Sequence, residues 1–98
     1  MIVVIATLPG RPEKRSEIEA ALTKAAAASR EEEGCLSYSF TRDLEDADRY
    51  VSVETWQDTA SLDAHFGTPH LVELLSLAEQ LLSGDPVITR YETSGPSA

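Results

Sequence analysis

Basic residues are few in this chain, and so are cysteine, histidine and tryptophan. Eight Lys and Arg stand against seventeen Asp and Glu, for a formal net charge of −9. Binding DNA or RNA depends on cations that neutralise phosphates, so nucleic acid is excluded as a partner. The single cysteine, Cys35, has no mate for an internal disulfide, and no basic stretch followed by an apolar one opens the sequence; the reading is therefore cytoplasmic rather than secreted. No apolar run approaches the roughly 20 residues that span a bilayer, so a membrane is not expected as a partner either. The 98 residues form one domain. A chain of this size buries only about two thirds of its unfolded surface, which favours association with a second copy.

What is present reads as alternating strands and helices. Ile2 to Leu8 is rich in β-branched residues and bounded by Pro9 and Gly10, as a strand should be. Both of its faces are apolar, so both need cover. Pro12 suits the first position of a helix, and Ile18, Ala21, Leu22, Ala25 and Ala26 form one stripe, so a helix is expected from Pro12 to about Glu33, stopped by Gly34. Its alanine-rich second half fits close packing on a sheet or room for a ligand, the former being the plainer reading. Glu31, Glu32 and Glu33 oppose the helix dipole and read as a solvated charge run.

Cys35 to Arg42 alternates Leu36, Tyr38 and Phe40 with Ser37, Ser39 and Thr41, a strand pattern. Asp43 to Asp48 has turn composition, and Arg49 to Trp56 reads as a second strand, making a hairpin. The acids of that turn lack calcium-loop spacing, so no metal is expected there. Asp58 can cap a short helix through about Phe66, Gly67 ends it, and Thr68 with Pro69 begins another. Leu71, Leu74, Leu75, Ala78, Leu81 and Leu82 continue that last helix to Gly84. Val87 to Glu92 is a final strand, so the domain spans residues 1–92. The tail Thr93 to Ala98 is expected to fray.

The order β-α-β-β-α-α-β is the α+β, ferredoxin-like split βαβ arrangement, a four-stranded antiparallel sheet with helices on one face. The chain's own helices cover only that face. The doubly apolar first strand therefore predicts a homodimer whose sheets face one another.

Three segments, IVVIATL at the start, EEEGCLSYSF at 31–40 and YVSVETWQDTASLDAHFGTPHL at 50–71, resemble the antibiotic-biosynthesis monooxygenase (ABM) family of the dimeric α+β barrel superfamily. The likeness spans Ile2 to about Glu92 and lies in EEGC before a tyrosine, E-x-W-x-D, L-x-A-H and T-P-H. It implies a dimeric α+β barrel and, by similarity to characterised relatives, oxidation of a quinol or related aromatic by molecular oxygen without metal or flavin cofactor. Other relatives isomerise small phosphorylated carbonyl compounds or cleave haem. The haem branch fits poorly, because Ala6 and Thr7 stand where those relatives carry asparagine and no histidine follows His70.

Cofactor-free oxidation needs a bound aromatic ring, a proton acceptor and exclusion of water. His65 is the candidate catalytic base. Trp56, Phe40 and Phe66 are candidate apolar walls, and Tyr38, Tyr91 and His70 candidate substrate-binding polar groups. The lining is expected to enclose a hollow between the first helix and the sheet, marked by Tyr38, Trp56 and His65. Against this stand purely structural roles: His65 packed and satisfied, His70 tying Thr68 and Pro69 to a neighbouring helix, Trp56 in the core. Cys35 has no adjacent basic group to activate it. An isomerase acting on a phosphorylated carbonyl compound would call on Arg42, Arg49 or Arg90, whose sheet face the sequence leaves open. A dimer that binds a small molecule without turnover is the remaining alternative.

Overall fold

The computed structural model describes residues 1–94 of the chain; positions 95–98 of the tail expected to fray lie outside the described residues. The elements are β1 (Ile2–Pro9), a 3₁₀ turn (Pro12–Lys14), α1 (Arg15–Arg30), β2 (Cys35–Arg42), β3 (Arg49–Trp56), α2 (Thr59–Phe66), α3 (Pro69–Ser76), α4 (Ala78–Leu81) and β4 (Val87–Glu92). The strands form one open antiparallel sheet in the order β2-β3-β1-β4. This is the α+β, ferredoxin-like arrangement.

Helix boundaries differ from expectation at four points. Pro12 opens a 3₁₀ turn and the α-helix proper begins at Arg15, while the last helix ends at Leu81, short of Gly84, and Leu82 bridges to Gly10. The first helix stops at Arg30, because the amides of Glu31 and Glu32 bond three residues back to Ala28 and Ser29 and tighten the last turn. The expected single last helix is two, divided at Leu77, whose amide likewise bonds to Leu74 three residues back. The break at Leu77 carries no glycine or proline, so the leucine period runs through it unaltered.

Strand alternation decides what each face sees. Ile2, Val4 and Ala6 of β1 and Tyr50, Ser52, Glu54 and Trp56 of β3 point beneath the helices and are buried. One core cluster joins Ile2, Val4, Ala26, Tyr38, Trp56 and Leu62; another joins Ile18, Leu22, Tyr50 and Leu81. Ala25 and Ala26 are buried in close packing. The opposite face of the sheet is bare: Ile5, Val53, Val87 and Tyr91 are 37, 42, 63 and 53% exposed. Thr93 exchanges backbone hydrogen bonds with Met1, carrying the β1–β4 ladder one residue into the tail.

Gly34 governs how α2 meets the sheet. Its φ of +85° lies in the left-handed region, and a Cβ there would collide with the Ser61 side chain in the first turn of α2. Its carbonyl accepts from the amide of Gln57 at 2.8 Å, so the turn after α1, the end of β3 and the start of α2 are drawn to one point.

Candidate functional site

Three short stretches converge beside that point. Glu32 lies in the turn after α1, His65 in the last turn of α2 and His70 in the first turn of α3. Asp58 caps α2 by accepting from the Ser61 amide at 2.8 Å. Thr68 does not cap α3 with its side chain; its hydroxyl donates to the carbonyl of His65 at 2.7 Å and so satisfies the end of α2.

One oxygen of Glu32, Oε2, takes both imidazoles, His65 Nδ1 at 2.7 Å and His70 Nε2 at 2.6 Å. A carboxylate oxygen accepts, so both ring nitrogens donate. Thr68 supports the assignment for His70: with its own proton committed to His65, its oxygen, 3.2 Å from His70 Nε2, can only accept. The side chains of His65, Glu32 and His70 are 2, 12 and 20% exposed. Glu32 is thus not part of a solvated run, as its sequence setting suggests, although Glu31 and Glu33 are exposed.

With Nδ1 committed, a neutral His65 keeps its lone pair on Nε2. That atom makes no hydrogen bond with another of the described residues. Every fully buried side-chain nitrogen or oxygen among the described residues has a partner, so Nε2 touches open space. The space His65 lines is a cavity of about 50 Å³. It lies beneath α2 and α3 rather than between α1 and the sheet, where the sequence places it. Val4, Ala6 and Phe40 form its sheet side, Leu71 and Leu74 its helix side, and Phe66, Leu75 and Ile88 its partly exposed rim.

Three polar residues share the cavity with His65: Tyr38, Glu54 and Ser52. Tyr38 is buried, and burial, followed by the nearby Glu54 charge, pushes its phenol well above the ordinary value, so the hydroxyl keeps its proton. Glu54 is 5% exposed; it accepts from Ser52 Oγ at 2.9 Å and from the Trp56 indole N–H at 3.0 Å. Among the described residues neither oxygen has a cationic partner.

The candidates divide accordingly. His65, Tyr38, Phe40 and Phe66 meet at the cavity. Trp56 does not line it; fully buried, it packs on the far side of the His65 ring at 4.6 Å between centroids and donates to Glu54. His70 opens instead on a separate shallow dent beside Ala21, Lys24 and Glu73. Tyr91 pairs with Val3 on the bare face of the sheet, away from the cavity. Arg42 and Arg49 are held by Glu19 and Asp43 at 2.9 and 3.0 Å, and Arg90 lies 3.9 Å from Asp63; none lines the cavity. Burial, then the charges of Glu32 and Glu54, raise the Cys35 thiol above its ordinary pKa, which leaves it a poor nucleophile.

Glu32 and Glu54 are the functional candidates that the residue pattern did not single out. Glu54 had a visible signal, since Ser52, Glu54 and Trp56 alternate on the strand face that must lie under the helices. Glu32 had none within its run of three glutamates.

The chain matches the family described as "Antibiotic biosynthesis monooxygenase" over residues 1–75 and belongs to that family. It is 34% identical over 91 residues to the uncharacterised protein sll1783 of Synechocystis, covering 93% of this chain and 62% of that protein, so it spans less than two thirds of that relative. It is 31% identical over 94 residues to the Bacillus subtilis protein named "Putative monooxygenase YcnE", covering 96% of this chain and 99% of that one. The solved structure of Rv0793 from Mycobacterium tuberculosis superposes with a TM-score of 0.91 at 27% identity, covering 99% of this chain and 98% of that one. Among the described residues no helix is long and apolar enough to cross a membrane.

Proposed function

We propose that the chain is a cofactor-free monooxygenase that oxidises a quinol or related hydroxylated aromatic with molecular oxygen. The observation that carries this reading is the bare Nε2 of His65, backed through Nδ1 by Glu32 and presented to a largely apolar cavity. The substrate hydroxyl gives its proton to Nε2, and the imidazolium that forms is stabilised by the carboxylate on its other nitrogen, the logic of a carboxylate-backed general base. The phenolate then reduces oxygen. For a quinol, one oxygen atom enters the ring and the other leaves as water, with a hydroxylated quinone as product.

The walls keep water from the intermediates, and the protonated Tyr38, whose hydroxyl lies beside Ser29 of α1, adds its ring to the lining. Glu54 favours a ligand that donates hydrogen bonds and disfavours one that arrives as an anion, whereas the phenolate forms beside the His65 imidazolium. That argues against a phosphorylated carbonyl substrate, which would need a cation where the cavity has none. An apolar cavity of about 150 Å³ holds benzene, and this one is smaller, so a ring enters by parting Phe66 and Leu75 at the rim. We further infer a homodimer closed across the bare sheet face as a dimeric α+β barrel, acting in the cytoplasm, where the free Cys35 stays reduced.

The test is oxygen uptake with a panel of quinols and anthrones, run against a protein-free control and repeated anaerobically. Uptake above the control, abolished by His65→Ala in a protein that still folds, is the expected result. Uptake that survives His65→Ala removes the base assignment. Tight binding of the same compounds without any product would instead favour a non-catalytic binding dimer.

A further inference from the structure

We propose that Glu32, His65 and His70 form a binding site for a divalent transition-metal ion of the zinc class, and that occupation of this site switches off the base at His65. The metal site itself stands on geometry alone, whereas the switch rests on the oxidative reading above.

Three elements that are separate in sequence bring two imidazole nitrogens and a carboxylate oxygen within 4.8 Å of one another. Both bonds fall on Oε2 of Glu32 and, among the described residues, Oε1 makes none, so the carboxylate has unused capacity to ligate. Two nitrogens and one oxygen suit zinc and its first-row neighbours, while magnesium and calcium prefer oxygen alone. A tetrahedral ion with bonds of about 2.0–2.1 Å separates its donors by about 3.3 Å. The two Glu32–imidazole separations are 2.7 and 2.6 Å and the three donors lie within 4.8 Å of one another, so the two rings would swing to about 3.3 Å apart and Glu32 would recede by roughly 0.6 Å. It can do so because it sits in a turn between exposed neighbours, Glu31 and Glu33. The ion has its own way in: His70 is 20% exposed and borders the shallow dent under α3, not the cavity that His65 lines.

The consequence for His65 follows from its two nitrogens. The ion takes the lone pair of Nδ1, so the N–H bond there breaks and the proton reappears on Nε2; His70 undergoes the reverse exchange, from Nε2 to Nδ1. No net proton need leave a neutral pair. Nε2 of His65 then offers the cavity an N–H instead of a lone pair, and it cannot accept the substrate proton.

The experiment is calorimetric titration of the tag-free protein with zinc chloride and, separately, magnesium chloride, without substrate, so that its result does not depend on oxidation. The expected outcome is about one zinc ion per chain and no binding of magnesium. Glu32→Gln and His70→Ala should each weaken zinc binding by roughly tenfold or more. The nitrogen-15 spectrum of His65 should move from the Nδ1–H to the Nε2–H tautomer on zinc addition. His70→Ala alters a partly exposed side chain and keeps the test available if Glu32→Gln fails to fold. Absence of zinc binding, or binding unaltered by His70→Ala, overturns the site. Zinc bound without the tautomer change overturns the switch.

Discussion

Glu32 has the most exacting position of any single residue, because one of its oxygens orients two rings. Glu32→Gln keeps the shape but removes the charge that would stabilise an imidazolium, so kcat for oxygen uptake should fall by roughly 10²-fold with KM little changed. Initial rates over a substrate series check this. Trp56 acts one layer behind the cavity. Trp56→Phe leaves Oε1 of buried Glu54 without its donor, which should cost about 1–3 kcal/mol in denaturant unfolding in addition to lost packing. A change of activity without a change of stability would contradict that assignment.

At the scale of elements, the site depends on how α2 is entered and left. Asp58 accepts from the Ser61 amide, and that bond lowers its pKa. A depressed carboxylate contributes stability that is present above its unfolded value of about 3.9 and is lost as pH falls through the folded value. Asp58→Ala should therefore melt below the parent at neutral pH, and the gap should close as the pH drops below about 4, read as Tm against pH. Gly34→Ala meets both a left-handed backbone and the Ser61 side chain. It should destabilise by about 1–3 kcal/mol and displace His65 by pushing α2 outward, which chemical denaturation and the His65 ring signals together would register. The elements themselves were largely legible. Cys35–Arg42 and Arg49–Trp56 emerge as strands where period two predicts them. The division at Leu77 was not, because the leucine stripe is continuous across it and the tightening comes from a backbone bond.

At the scale of the molecule, the bare sheet face carries the dimer proposal. Ile5 and Val53, paired across β1 and β3, stand exposed at its centre, where a facing copy would bury them. Val53→Lys places a charge in that contact, and burying an unpaired charge is costly. Sedimentation should show a dimer for the parent chain and a shift toward monomer for the variant, with a lower Tm. A parent chain that sediments as a monomer at every concentration would remove the dimer. The cavity lies on the opposite, helix-covered face, so loss of the dimer should reach it through β1 and β4 rather than by direct contact.

The amino-acid sequence by itself determined the element order, the sheet's two kinds of face and the segment that holds both histidines, since each depends on local period, turn residues and composition. It also marked His65, Tyr38, Phe40 and Phe66, which do meet at one cavity. Only the tertiary structure decided that Tyr91 faces away, that Trp56 stands behind His65 and that Glu32 leaves its acidic neighbours to bind both imidazoles. A period reports which side of its own element a residue occupies. Where α1 ends against α2 and α3 is set by the packing of three elements around Gly34, and no local pattern along the chain encodes it.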